Sequence, residues 1–181
     1  MKNSHRPAPM IACAALGGLA WLAGASVATA DDAAPRILSR ADMVTLTQLT
    51  ENQLEAAKAA NLKYRDVNVA LADGFFPGSP DVPGEGIHYL NPARLSCNFD
   101  PANPAVLLYA FLPGHTQLRL VALEWLIPFA CMPASGPPPE GFAGNLDVWS
   151  NDEPVPFWTT NAWLYFRNPA GLMTQLNPLV P

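Results

Sequence analysis

The spacing of apolar residues along the chain changes twice. From Met10 to Ala30, "MIACAALGGLAWLAGASVATA" is almost continuously apolar and carries no charge. From Ser39 to Gly74 the apolar positions recur every three or four residues. Leu46, Leu49, Ala56, Ala60, Tyr64, Val67 and Leu71 fall on roughly one face, which predicts a helix. Ser39 with Asp42 three residues on forms a capping-box start, Gly74 is a natural stop, and Asn61 marks a point where the helix can break in two.

Beyond Phe75 the helical period disappears. "GIHYL" reads as a short strand closed by Asn91-Pro92, and "AVLLYAFL" and "LRLVALEWLIP" as two strands joined through a turn at "PGHTQ". "FWTTNAWLYF" reads as the last clear strand. "PGSPDVPGEG", "LSCNFDPANP" and "FACMPASGPPPEGFAG" read as loops, "LDVWSNDEPVP" as a strand or a loop, and the end as a tail of turns. Of the 20 prolines, all but Pro7, Pro9 and Pro35 lie beyond Phe75, where they forbid long regular elements. The expected fold class is α+β: an N-terminal helix packed on a small antiparallel sheet, with long proline-rich loops over it.

The uncharged run changes the reading of the N-terminus. It follows a basic start (Lys2, His5, Arg6) and ends in Ala28-Thr29-Ala30, an A-x-A cleavage pattern, just before Asp31 and Asp32. That layout predicts a secretory signal peptide over residues 1–30 rather than a membrane anchor. It leaves a single domain over residues 31–181, periplasmic or extracellular, with no membrane span after cleavage. Loss of Lys2 and Arg6 takes the formal net charge from −5 to −7. A chain this acidic, with no basic stripe, would repel a phosphate backbone, so nucleic acid is not an expected partner.

Cys13 lies in the leader, which leaves Cys97 and Cys131. In an oxidising compartment two such cysteines are expected to form a structural disulfide. Two free thiols and a chemical pair are the alternatives, but neither cysteine has the close Cys or His spacing of a zinc or redox site.

Three polar side chains sit mid-strand, where apolar ones would be expected: His88, Glu124 and Asn161. Alternation puts Leu118, Leu120, Ala122, Glu124 and Leu126 on one face, so Glu124 is a carboxylate in an apolar row. A buried charge costs several kcal/mol unless paired. Glu124 should therefore be neutral, find a partner, or reach a cavity. If the strand faces agree, His88, Glu124 and Asn161 converge. A His–Glu contact would fix one tautomer and raise the basicity of the imidazole, as proton transfer requires, or it would give a metal two of its ligands. Equally, it is a buried hydrogen bond that fixes register, and a one-residue slip would turn Glu124 out to solvent. Tyr89 and Trp163 are expected either in the core or as aromatic walls beside His88. His115, in "PGHTQ", is expected to be a solvated turn residue. Ser79 and Ser96 lack a Gly-x-Ser-x-Gly setting, and the chain has no His-Glu-x-x-His, phosphate loop or dinucleotide fingerprint.

"GIHYLNP", "DPANPAVLLY", "LRLVALEWLIP" and "AWLYFRNPAGLMTQLNP" resemble a family of small exported bacterial proteins without an established activity. The resemblance runs from "YRDVNVALADGF" onward. Its motifs, Gly-[Ile/Phe]-His-Tyr-x-Asn-Pro and a strand Glu ahead of Val/Ile-Pro, fall on His88 and Glu124. A third motif often supplies a histidine before the Trp-rich strand end. Here that position is Asn161, ahead of Trp163 and Tyr165, so a two-histidine, one-carboxylate metal site that the resemblance would imply lacks one nitrogen ligand.

Three readings stay open. The leading one is an exported protein binding a small organic ligand in a pocket centred on His88 and Glu124, with Tyr89, Asn161 and Trp163 as walls. The second is an enzyme in which Glu124 orients His88 for proton transfer, or in which His88 and Glu124 hold a weak metal. The third is a structural or interaction module with a buried polar network. Neither a cofactor nor an oligomeric state is indicated.

Overall fold

In the computed structural model, residues 40–152 and 154–181 are described, without the side chains of Ala41, Asp42, Thr45 and Leu46. The stretch expected to be a signal peptide and the side chains of the expected Ser39–Asp42 capping box lie outside what is described. Among the described residues the architecture is mostly β. Five strands, β1 (Phe76–Val82), β2 (Gly86–Leu90), β3 (Val106–Ala110), β4 (Arg119–Pro128) and β5 (Phe157–Ala162), form one sheet in chain order, each antiparallel to the next.

This corrects the expected α+β class. The helical stretch does break at Asn61, into α1 (Arg40–Ala60), a 3-10 turn at Leu62–Arg65 and the six-residue α2 (Val67–Ala72). Only α1 is long, and it is not a layer packed on the sheet. Leu49, expected on its inner face, is 47% exposed, and Met43 and Val44 are exposed too. The line that turns inward is Thr50, Leu54, Ala57 and Asn61, small and half polar, with little apolar area to bury. Loop and tail residues hold α1 instead: Thr50 Oγ1 donates to Ala143 O, Ala143 N–H donates to Gln53 Oε1 (2.7 Å), and Tyr165 OH donates to Lys58 O (2.6 Å). The break has a local cause. Asn61 Nδ2 donates back to Ala57 O (2.9 Å) and across to Ala102 O (3.1 Å), which takes the side chain into the interior and ends the ladder.

The two sheet faces have different covers. On one, Tyr89, Leu107, Tyr109, Leu123 and Trp125 pack with Tyr64, Ala70 and Phe75 from the short turns before β1. Tyr109 OH donates to Tyr64 O at 2.5 Å, and burial pushes its phenol well above the usual range. On the other, Val106, Leu108, Ala122, Leu126 and Trp163 pack with Val180 of the C-terminal tail. A bulge between Leu108 and Tyr109 inserts Val121 into β4 opposite β3. It moves Leu120 to the face opposite Ala122 and Glu124, which corrects the unbroken alternation expected along β4.

Two features position the loops. The edge strand β1, expected as a loop, pairs Phe76 with Leu90 and Val82 with Gly86 around an irregular stretch between Pro77 and Asp81. At Gly86 φ is +88°, and a Cβ there would stand 2.3 Å from Tyr109 O, so only glycine lets β2 approach β3 at this point. Cys97 and Cys131 form a disulfide with Cα atoms 5.4 Å apart, joining the loop after β2 to the loop after β4. Such a bond is weakly compatible with an oxidising, exported location. Among the described residues no helix is long and apolar enough to cross a membrane.

Candidate functional site

The register brings His88, Glu124 and Asn161 to one face. His88 pairs with Leu108, which pairs with Ala122; Glu124 pairs with Val106 on one side and Asn161 on the other. Directly paired residues in an antiparallel ladder share a face. His88 Nε2 lies 3.7 Å from Glu124 Oε2, and closer still, at 3.2 Å, to Glu85 Oε2. Glu85 closes the β1–β2 turn, donating its N–H to Val82 O at 2.9 Å. Side-chain exposure is 21% for His88, 10% for Glu85 and 7% for Glu124.

The other ring nitrogen is held by the irregular part of β1. Ser79 Oγ lies 3.1 Å from His88 Nδ1, accepts the backbone N–H of His88 at 3.0 Å, and sits 2.7 Å from Pro80 O. A hydroxyl has one hydrogen, and the short contact to a carbonyl uses it. Nδ1 is then the donor to Oγ. Nε2 faces two carboxyl groups, which accept and do not donate when ionised. The arrangement needs either a doubly protonated imidazole or a proton on one carboxyl. In both cases Glu85 is within hydrogen-bond reach of Nε2 and Glu124 flanks it at 3.7 Å, and the three form one polar cluster tying β1, the β1–β2 turn, β2 and β4 together.

The other expected site residues have different jobs. Tyr89 points to the opposite face, where its ring meets Tyr109 edge-on at 4.7 Å, so it is no wall for His88. Asn161 and Trp163 hold the C-terminal tail: Asn161 Nδ2 donates to Gln175 O (3.2 Å) and Trp163 Nε1 to Thr174 O (2.7 Å). Asn161 is 1% exposed, and its Oδ1 has no hydrogen-bond partner among the described residues. The tail then reaches the β1–β2 turn, where Asn177 N–H donates to Gly84 O at 2.8 Å. His115 lies exposed in the β3–β4 turn. Among the described residues no group of three or more His, Cys, Asp or Glu side chains is arranged to hold a metal. With both nitrogens of His88 facing protein groups and the Asn161 amide turned to the tail, the residues present do not fit one.

Four of the better-formed cavities lie elsewhere, and none of the four is lined by His88 or Glu124. One, of about 230 Å³, lies between the disulfide-held loop and the β3–β4 part of the sheet, lined by Arg94, Ser96, Asn98, Asn103, Trp125 and Leu126 among others. It adjoins a shallower hollow of about 690 Å³ beside Cys97 and Pro137–Gly141, with which it shares Asn98, Phe99 and Ile127. Phe99 and Trp125, 5.7 Å apart between ring centroids, both line the first cavity, and Phe142 packs on Trp125 at 5.1 Å. Trp125 Nε1 donates to Asp100 O at 2.9 Å, pinning the loop to the sheet.

Ser79, Glu85 and Arg94 were not foreseen from sequence. Glu85 had a signal, an acid three residues before a strand histidine and flanked by Gly84 and Gly86. Arg94 had one as well, as the only lysine or arginine between Arg65 and Arg119. Ser79 had none, because its place depends on the irregular pairing of β1. No family model, no curated protein and no solved structure matches the chain.

Proposed function

We propose that this chain is a periplasmic or extracellular binding protein that takes a small organic molecule into the hollow beneath its disulfide-held loop. The observation that carries this reading is the cavity of about 230 Å³ lined by Phe99 and Trp125 together with the polar residues Arg94, Ser96, Asn98 and Asn103. The disulfide and the Trp125 bond hold the loop in place, so little order is lost when a ligand enters. The motif resemblance to small exported proteins points to the same compartment. The His88–Glu85–Glu124 cluster then fixes strand register rather than meeting the ligand.

The test is a ligand screen on oxidised full-length protein, read by the indole N–H signal of Trp125. Ligands that shift this signal, and lose the effect once Cys97–Cys131 is reduced, are the expected result. Binding that moves only signals around His88 would sink it.

A second reading has one observation in its favour: hydroxyl, imidazole and carboxylate stand in line at 3.1 and 3.2 Å through Ser79, His88 and Glu85. Acyl transfer there would require the other tautomer, with the imidazole hydrogen on Nε2 toward Glu85, and the Ser79 hydroxyl turned from Pro80 O to a bare Nδ1. Labelling of Ser79 by a fluorophosphonate would establish it, and an unlabelled Ser79 in folded protein would exclude it.

A further inference from the structure

Resting on that binding reading, we propose that the cavity holds a small organic acid, with its carboxylate on Arg94 and its apolar body along Trp125 and Phe99. The guanidinium is pre-placed. Arg94 NH2 donates to Tyr64 OH at 2.6 Å and NH1 to Pro104 O at 3.4 Å, while the group lies 4.8 Å from the ring centre of Phe75 and 5.3 Å from that of Tyr64. These partners are neutral. They orient the fork without cancelling its charge, and two bonds leave further N–H donors on a group that has five.

No nearby acid among the described residues forms an ion pair with it. Among the described residues no carboxylate oxygen lies within 4 Å of Arg94; the ion pairs there are Lys63–Asp73 and the two made by His88. Asp73 makes no ion pair with Arg94: it is reached through Tyr64 OH, which donates to it at 2.9 Å, and by a weaker attraction through space, while Lys63 Nζ sits 2.5 Å from the same oxygen. Those hydrogen bonds, Lys63 first, hold the Asp73 carboxyl below its usual range. Asp100 also lines the cavity, but it is exposed, so water screens its charge, and its Oδ1 is held by the N–H of Ala102 within its own turn. A cation fixed by neutral groups at the wall of a small hollow fits a planar oxyanion, and the guanidinium fork matches a carboxylate with two parallel bonds. Asn98, Ser96 and Asn103 supply further polar contacts around that end. The aromatic side favours a ring or short apolar body over a bare ion.

The experiment compares benzoate with benzamide, its neutral analogue of similar shape, on the oxidised full-length chain by calorimetry and by the Trp125 indole signal. Benzoate should bind saturably and shift Trp125, with benzamide weaker by about tenfold or more, the share of one charge-assisted contact. Arg94→Gln should bring benzoate down to the benzamide level, and Arg94→Lys should recover only part of the loss. Equal binding of the two probes to the unaltered protein would overturn the carboxylate inference while leaving the cavity as a binding site. If neither probe moves Trp125 at high millimolar concentration, both the inference and the binding reading fall. The first comparison needs no variant, so a poorly folding Arg94 substitution does not blunt the test.

Discussion

The ionic cluster at His88 and the hollow at Arg94 share one sheet, with Glu124 of the first next to Trp125 of the second along β4, and they treat charge in opposite ways. At His88 the polar groups are turned on one another: both ring nitrogens meet protein atoms, and two carboxyl groups flank one of them. At Arg94 the cation is oriented by a phenol, a carbonyl and aromatic faces, and its wall borders open volume. A closed network confers register, because each member penalises a slipped strand. An oriented charge beside a hollow leaves interaction energy for a ligand. A histidine and a glutamate in apolar rows were the more conspicuous sequence signal, but the open chemistry is at the arginine.

The comparison can be broken in order of expected effect. Gly86→Ala places a Cβ against Tyr109 O at a φ of +88°. It should cost at least about 3 kcal/mol and be seen as loss of folded protein in denaturant titrations. Retention of full stability would mean that β2 does not approach β3 as described.

Opening the disulfide comes next. Reduction or Cys97→Ser should lower stability by about 3–4 kcal/mol for a separation of 34 residues. It should also abolish Trp125-reported binding while the far-ultraviolet spectrum of the sheet persists. Unchanged binding in the reduced protein would detach the hollow from its strap.

Glu124→Ala, which strips one carboxyl from a buried cluster, should cost about 2–4 kcal/mol without changing ligand affinity. A double-mutant cycle of Glu124→Gln with His88→Gln should show coupling of about 1 kcal/mol or more. A mild Glu124→Ala that nonetheless destroyed binding would reverse the roles assigned to the two regions. Trp163→Phe is a smaller change. It leaves Thr174 O without its donor and should cost about 1–2 kcal/mol, with faster proteolysis of the tail as the readout.

The pH dependence should be the gentlest probe. Burial raises Tyr165 to about 12 and Tyr109 higher still. The folded state thus keeps phenolic protons that the unfolded chain releases near pH 10. These two tyrosines therefore favour folding below about pH 10, and that contribution drains away as pH climbs toward 12 and beyond. Asp73 works in the opposite direction. Its pKa is depressed in the fold by Lys63 and Tyr64, so its contribution is present above about pH 4 and fades on acidification. Tyrosinate absorbance that rises near pH 10 for every tyrosine would contradict the burial of Tyr109 and Tyr165.

Local pattern was enough to read much of the sheet. "GIHYL" carries β2 residue for residue, and the runs at Val106, Arg119 and Phe157 each contain a strand, because short apolar segments between prolines and glycines have few other ways to bury themselves. The break at Asn61 was legible for a similar reason, as a polar residue interrupting a helical stripe. The pairing of Cys97 with Cys131 followed from there being two cysteines beyond the stretch expected to be a leader. The helix period, by contrast, overstated α1: periodicity marks which side of a helix is less polar, not whether a partner layer exists to receive it.

The rest required long-range contacts. Strand β1 has no apolar alternation; Pro77, Gly78, Ser79 and Pro80 become strand only because β2 offers an edge to pair with, and that pairing carries Ser79 to His88. The bulge at Val121 is invisible along the chain, yet it decides which of Leu120 and Ala122 shares a face with Glu124. Asn161 and Trp163 look like site walls until the tail arrives to take their donors, and Arg94 looks like one more surface cation until Tyr64, from a turn 30 residues away, fixes its direction. Residue type and spacing set what each segment can do locally. Which polar groups neutralise one another, and which are left facing a hollow, depends on contacts between segments far apart in the chain, because a charge is satisfied by whatever packing brings within hydrogen-bond reach.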